Sequence, residues 1–276
     1  MRFPIYWKRV QNKQGTLFAR GWSDRNPEEA QQHAEMRLAR IESALQKGDS
    51  LDRYHYVIDK VICEFVVDRV LDKNDTEIAV ISRNAYGSLV LNAPSVMFID
   101  IDTPRPKSVG LFKRLFGKPE KPIAPESERL EMLRVWQSHH ADFAFRVYRT
   151  RAGLRAMVTN RIFQNIDQSV LDIMDELDGD PLYRQQCKSQ HCFRARLTPK
   201  PWRIGIPTIP PRFPIDTVTL EKEFSIWFDN YLTKSKQFCV CHWIENVGNG
   251  EPHPTAQQLI DLHDDFCCSS ADLPLA

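Results

Sequence analysis

The stretch Val96-Met97-Phe98-Ile99-Asp100-Ile101-Asp102 decides which fold the sequence predicts. Its first four residues are all apolar, so both faces of an extended strand would be apolar here. That pattern is typical of a strand covered by helices on both sides of a sheet. Two acids follow at the end of the strand. Because alternate side chains of a strand share a face, we expect both carboxylates to point the same way.

Two carboxylates this close repel each other unless a positive group lies between them. Mg²⁺ or Mn²⁺ would supply that charge, because hard divalent cations bind carboxylate oxygens and keep positions open for phosphate groups. We therefore predict that Asp100 and Asp102 are metal ligands and catalytic residues. Two other interpretations stay open. The strand end simply emerges into solvent, or the acids are held by arginine in a structural role.

Strand and helix patterns surround this stretch on both sides. Short strand patterns precede it between residues 57 and 91, and others follow it at 143–148, 154–159 and 193–197. Helical patterns cover residues 126–140, 166–178, 219–233 and 254–267. This order predicts an α+β core domain over residues 51–276, built on a mixed sheet flanked by helices.

Residues 1–50 predict a small N-terminal module of two strands and a helix. A strand pattern lies on each side of Asn12-Lys13-Gln14-Gly15. Asn26 then offers a helix cap, Pro27 suits the first helical position, and Glu29 completes a capping box. Apolar residues recur at helical spacing from there to about residue 47.

Residues 103–125 differ in composition from both domains. They contain five prolines and six basic residues but one acid, Glu120. Repeated proline excludes regular structure, so a basic, proline-rich loop is predicted. A mobile insertion and a lid over the carboxylate pair are both compatible with a loop that leaves directly from Asp102.

Positive charge is concentrated in two later segments. In the second, alternate arginines of a predicted strand share a face, as the two acids do. The planar fork of arginine suits bidentate phosphate contacts. We predict a nucleotide- or phosphate-binding set in these segments, consisting of Arg149, Arg151, Arg155, Arg194, Arg196 and Lys200. Structural pairing between these cations and the acids is the alternative.

Bulk composition excludes some classes and leaves others open. Lys plus Arg total 37 and Asp plus Glu total 36, so net charge gives no sign of a polyanionic partner. No stretch approaches the roughly 20 apolar residues of a membrane helix, and the N-terminus lacks a signal-peptide core. Seven cysteines, an odd number, fit reduced thiols better than a disulfide framework. We expect a cytoplasmic protein without membrane contact.

Cysteine and histidine occur together in two places. The groups are Cys187, His191 and Cys192, and then Cys239, Cys241 and His242. Together they offer enough donors for tetrahedral zinc, but the spacings are not those of a standard zinc finger. Buried thiols are the more common outcome for such residues, so zinc is not the expected cofactor.

The order of these motifs resembles the archaeo-eukaryotic primase superfamily. That family has a strand ending in apolar-Asp-apolar-Asp, then a helix, then a hairpin with a Ser-x-His-like motif, and then a basic strand. The segments Phe98–Asp102, Tyr148–Arg155 and Phe193–Lys200 occupy these places in this order. The resemblance covers roughly residues 90–205.

The resemblance implies a primase-like fold, Mg²⁺ or Mn²⁺ as cofactor, and a nucleotide triphosphate or nucleic acid as partner. It places Arg155 where the family has its histidine, with the phosphate contact passing to arginine. A third metal-binding acid of the family would fall to Asp167 or Asp180.

These observations leave three interpretations. The first is a metal-dependent nucleotidyl transferase, in which a hydroxyl attacks the α-phosphate in line while arginines neutralise developing charge. The second is a module that binds nucleotide or nucleic acid without turnover. The third is a structural protein whose Asp and Arg residues pair internally. Whether the protein is an enzyme is not decided by the sequence.

Overall fold

The computed structural model describes residues 1–48, 60–103, 126–208, 218–267 and 272–276. Helices and antiparallel sheets occur together in these ranges, so the predicted α+β class is confirmed. The predicted strand at residues 57–58 and almost all of the proline-rich loop lie outside the described residues.

The N-terminal module has the predicted form. Strands β1 (Tyr6–Gln11) and β2 (Phe18–Ser23) form an antiparallel hairpin, and helix α1 (Pro27–Gln46) packs against it. The Asn26 side chain accepts a hydrogen bond from the Glu29 N–H at 2.8 Å, which is the predicted cap. The Glu29 carboxylate instead accepts from Ser23 Oγ at 2.8 Å, so the helix start is tied to the hairpin.

The other described strands form two four-stranded sheets. In chain order they are β3 (Phe65–Leu71), β4 (Glu77–Arg83), β5 (Leu89–Ala93), β6 (Phe98–Asp102), β7 (Phe145–Thr150), β8 (Gly153–Val158), β9 (Phe193–Arg196) and β10 (Cys241–Val247). One sheet has the order β3-β4-β5-β9 and the other the order β10-β7-β8-β6. Neighbouring strands are antiparallel in both sheets. The sequence had predicted one mixed sheet, and the described residues form two antiparallel sheets.

Five helices follow α1 in the described ranges. They are α2 (Glu126–His139), α3 (Gln168–Glu176), α4 (Pro181–Gln190), α5 (Val218–Ser235) and α6 (Pro254–Cys267). All but α4 were predicted, to within a few residues at each end. A 3-10 turn, Pro201–Arg203, follows β9.

Strand β6 lies at the end of its sheet. Its apolar sequence had instead predicted a central strand. Among the described strands it pairs with β8 alone. Its residues from Phe98 to Ile99 are nevertheless fully buried. Strand β6 also approaches β9, so the edges of the two sheets lie close together. The apolar side chains of β6 are therefore buried by neighbouring elements and not by a second paired strand.

Within the described residues, no helix has both the length and the apolar character needed to cross a membrane.

Gly21 provides a test of how the N-terminal module is assembled. A Cβ at this position would lie 2.1 Å from the Ala34 nitrogen and 2.2 Å from the Ala30 carbonyl oxygen, both backbone atoms of α1. We expect Gly21→Ala to force the helix off the hairpin and to lower the free energy of unfolding by about 1–3 kcal/mol.

Urea denaturation followed by circular dichroism measures this loss. Gly250→Ala is the matched control, because its added Cβ would lie 3.1 Å from the nearest atoms, in the Asn160 side chain, which can shift. Equal stability of the two variants would contradict the close packing of α1 on β2.

Candidate functional site

The register between β6 and β8 places Asp100 directly opposite Arg155. Arg155 Nε donates to Asp100 Oδ1 at 2.8 Å, and Nη2 donates to Oδ2 at 3.4 Å. The arginine side chain is 2% exposed and the aspartate side chain 31%. One predicted metal ligand and one predicted phosphate ligand are therefore joined in a two-pronged ion pair, whose arginine end is buried.

Arg155 has a second set of contacts behind the pair. Its Nη1 donates to the Arg196 carbonyl at 3.1 Å and lies 3.4 Å from His263 Nε2. Burial alone would lower the pKa of Arg155, but the charge of Asp100 and the hydrogen bond to it outweigh burial and raise that pKa. The guanidinium therefore stays charged and connects β6, β8, β9 and α6.

Asp102 lies on the same face of β6 as Asp100, at the exposed end of the strand. Partial burial raises its pKa, and the negative charges of Asp100 and Asp180 raise it further. Lys200 and Arg203 act in the opposite direction. Asp102 has no salt bridge to any residue within the described ranges, so its carboxylate has oxygen lone pairs to offer a ligand.

Lys200 approaches this face from the segment that follows β9. Burial, together with the neighbouring charges of Arg196 and Arg203, lowers its pKa to about 8, against the opposite influence of Asp102 and Asp100. No salt bridge to Lys200 occurs within the described part of the chain. An ammonium group is thus held near two carboxylates without closing an ion pair to either.

Asp180 joins the site through the backbone. Its N–H donates to the Asp100 carbonyl at 2.9 Å, which holds the start of α4 against β6. Its Oδ1 accepts from the Leu182 N–H at 2.8 Å and caps α4. Asp167, the other candidate for a third acid, caps α3 through the Val170 N–H. Of the two, Asp180 is the acid whose charge influences Asp102.

The predicted cations do not all reach this site. Arg194, on β9 of the other sheet, is buried and pairs with Glu64 at 2.5 Å. Arg149 pairs with Glu126 at 2.8 Å, and Arg151 donates to the Leu275 carbonyl at 3.4 Å. The residues that the structure brings together are Asp100, Asp102, Arg155, Arg196 and Lys200.

Arg196 differs from Arg149 and Arg194 because it has no salt bridge within the described residues. Its buried Nε has no hydrogen-bond partner among the described residues, as is also true of the Arg194 Nε. Its carbonyl accepts from Arg155, and its positive charge lowers the pKa of Lys200. Arg196 is therefore an additional cation beside the carboxylates.

A separate cluster of potential metal donors lies behind Arg155. Cys241 on β10 and His263 and Cys267 on α6 are completely buried, and their donor atoms all lie within 4.8 Å of one another. The hydrogen bond from the Cys267 thiol and the neighbouring His263 lower the pKa of Cys241, whereas burial raises that of Cys267.

Neither cysteine–histidine group considered from the sequence forms such a cluster in the described residues. In the second group, Cys239 Sγ lies 2.9 Å from His242 Nε2, apart from the buried cluster. The signal that would have indicated the buried cluster is the spacing of His263 and Cys267, four residues apart on one helix face.

A cavity of about 400 Å³ opens beside α6 and the ends of β7 and β10. Its lining includes Arg146, Asp261 and Asp264. None of the residues gathered around Asp102 lines it, so the cavity and the carboxylate face are separate features.

Comparisons of the chain with protein-family models, with curated proteins and with solved structures found no match.

Substitutions of the two aspartates separate their roles. Asp100→Asn leaves the buried Arg155 charge without its partner, and we expect it to cost roughly 3 kcal/mol of unfolding free energy. Asp102→Asn removes a carboxylate whose raised pKa means that its charge is unfavourable in the folded state. We expect this second variant to be at least as stable as wild type at pH 7.

Chemical denaturation of the two variants and wild type under identical conditions measures this contrast. The substitutions are chemically identical and lie two residues apart on one strand, so each is the control for the other. Equal losses would contradict a buried ion pair that involves Asp100 alone.

Lys200 predicts a pH dependence of stability. Its pKa is about 8 in the folded state and 10.5 ordinarily, so the folded state disfavours the charged form. The resulting destabilisation is complete below pH 8 and disappears as pH rises towards 10.5. We expect wild type to gain stability relative to Lys200→Met across this window.

The measurement is the difference in unfolding free energy between wild type and Lys200→Met at pH 7, 8, 9 and 10. The exposed Lys188 on α4 supplies the control substitution, Lys188→Met. A difference for Lys200→Met that did not change with pH would show that the lysine is not held in a partly buried, electropositive position.

Proposed function

We propose that the exposed face of β6 binds the phosphate groups of a nucleotide or nucleic acid through a divalent cation, Mg²⁺ or Mn²⁺. The observation that carries this proposal is that one acid, Asp102, and one cation, Lys200, meet there without forming an ion pair. Asp102 and Lys200 influence each other's pKa, yet neither has a salt bridge within the described residues.

Asp102 provides the principal metal ligand in this proposal. Asp180 supplies a second carboxylate, and Asp100 retains unoccupied lone pairs on oxygens that Arg155 only partly engages. Hard cations prefer such oxygen sets and share their remaining positions with phosphate. The negative charges of Asp100 and Asp180 raise the pKa of Asp102 because the carboxylates repel one another, and a bound cation would relieve that repulsion.

Lys200 and Arg196 are the phosphate ligands on the opposite side. Arg196 has no salt bridge within the described residues, and Lys200 keeps a charge that burial disfavours, so both gain from contact with an anion. Arg155 is buried and engaged on both sides, and in this proposal it positions Asp100 and does not touch phosphate.

The motif order shared with the archaeo-eukaryotic primase superfamily supports the same ligand class. It also suggests nucleotidyl transfer as the alternative. That reaction would require carboxylates that both give full negative charge to the cations, and the Arg155 pair takes part of the charge of Asp100. Binding is therefore the function that the geometry supports best.

The cysteines support a reducing compartment as part of the proposal. The described residues contain six free thiols. Cys63 is partly exposed, and the other five are buried: Cys187, Cys192, Cys239, Cys241 and Cys267. We propose that the protein acts in the cytoplasm, where thiols are kept reduced.

Titration of wild-type protein with Mn²⁺ and ATP, and with Mn²⁺ and a single-stranded oligonucleotide, tests the proposal by calorimetry and thermal shift. We expect binding that depends on the metal, weakened at least tenfold by Asp102→Asn and by Lys200→Met. Asp142→Asn and Lys188→Met remove an exposed acid and an exposed lysine elsewhere and serve as matched controls.

Absence of a metal-dependent signal in wild type, or equal affinities of Asp102→Asn and wild type, would overturn the proposal. Incubation with labelled nucleotide, Mn²⁺ and a primed template then separates binding from transfer. Incorporation that is lost in Asp102→Asn would replace binding by nucleotidyl transfer as the function of this face.

A further inference from the structure

The buried cluster of Cys241, His263 and Cys267 joins one helix to one sheet. His263 and Cys267 lie four residues apart on α6, so both side chains project from the same face of the helix. Cys241 meets them from β10. All three are 0% exposed, which places two sulfurs and an imidazole together inside the protein.

The separations suit a single bound ion. A tetrahedral zinc ion with Zn–S bonds of about 2.3 Å holds its sulfurs roughly 3.8 Å apart. The three donor atoms already lie within 4.8 Å of one another. Shifts of well under about 1 Å in each side chain would complete the geometry, which is within reach of ordinary side-chain rotation.

The surroundings of His263 match those of a metal-bound imidazole. Its Nδ1 lies 3.3 Å from Asp264 Oδ1, and donation of the Nδ1 proton to that carboxylate leaves the Nε2 lone pair for a ligand. Tyr148 donates to Asp264 at 2.7 Å and Arg146 at 2.6 Å, so the carboxylate is itself held in place.

One contact competes for that lone pair. Arg155 Nη1 lies 3.4 Å from His263 Nε2, which is long for a hydrogen bond. The same nitrogen also donates to the Arg196 carbonyl at 3.1 Å, so Arg155 keeps a partner when a metal takes the imidazole.

Charge also balances around such an ion. Two thiolates neutralise one divalent cation, with both thiol protons released to solvent on binding. The adjacent Arg155–Asp100 pair is neutral on its own. A buried, neutral assembly results, whereas a disulfide between the two sulfurs would leave the histidine and its ordered carboxylate without a role.

We propose that Cys241, His263 and Cys267 bind a zinc ion that fastens helix α6 to strand β10. The site has a different ligand set from the cation site proposed at Asp102, which requires oxygen ligands and an exposed face. Zinc would hold α6 in the position from which His263 contacts Arg155, so its role is structural. The three protein donors leave the fourth zinc position to a ligand from outside this set.

Elemental analysis of untagged protein, purified from zinc-supplemented medium and dialysed, tests the proposal. We expect roughly one zinc per chain. Cys241→Ser and Cys267→Ser should reduce that content at least fivefold. Cys187→Ser and Cys192→Ser are the matched controls, because they remove buried thiols outside the cluster and should keep the full content.

Three measurements on wild-type protein avoid variants that fail to fold. Titration of the thiols with a mercurial should release zinc, as detected by a metallochromic dye. Exchange of zinc for Co²⁺ should produce thiolate-to-cobalt charge-transfer absorption of a tetrahedral site. A strong chelator should lower the melting temperature, and added Zn²⁺ should restore it.

Other results would overturn the proposal. If the purified protein contained no metal and all seven thiols were titratable after unfolding, the three side chains of the cluster would be packed together without a bound ion or a disulfide. Metal-free protein with two thiols fewer would mean a disulfide instead. Full zinc content in Cys241→Ser would place the metal elsewhere. Because Asp102→Asn should retain its zinc, a failure of Mn²⁺-dependent nucleotide binding is distinguishable from a failure of this inference.

Discussion

The ion pair between Arg155 and Asp100 is the interaction on which the centre of the molecule depends. A guanidinium that is 2% exposed requires a compensating charge and complete hydrogen bonding, because an unpaired buried charge costs several kcal/mol. Asp100 supplies the charge, and the Arg196 carbonyl accepts a further hydrogen bond from the guanidinium. These contacts set the register of β6 on β8 and the approach of β9.

The same pair explains why two neighbouring aspartates of similar sequence context differ. Asp100 is bonded through both oxygens and its backbone carbonyl accepts from Asp180. Asp102, two residues further, emerges beside Lys200 without an ion pair in the described part of the chain. A repeating apolar-Asp pattern on one strand thus yields one residue that supports the fold and one whose carboxylate has no ion pair in the described part of the chain.

Local signals in the sequence predicted much of the secondary structure. Asn26 and Pro27 mark the start of α1 because capping acts within one helical turn. Strand β10 was missed because a bulge between Trp243 and Glu245 breaks its alternation. Helix α4 was missed although Asp180 and Pro181 carry its cap, since the segment has few apolar residues to show a helical period.

Contacts between distant residues were not predictable in the same way. Asp100 and Arg155 are 55 residues apart, and their partnership follows from strand register, which no short motif encodes. Internal pairing was one of the interpretations left open, but the sequence could not say which aspartate it involves. The convergence of Cys241 with His263 and Cys267 likewise depends on how α6 packs on β10.

Arg155 touches Asp100 at one end and approaches His263 at the other, so the two proposed cation sites share one guanidinium. Occupancy of either site would then carry a coupling free energy with the other. Thermodynamic linkage makes such coupling reciprocal: whatever zinc does to the affinity for Mn²⁺, Mn²⁺ does equally to the affinity for zinc. A single buried side chain would in this way make a structural metal a modulator of ligand binding at Asp102.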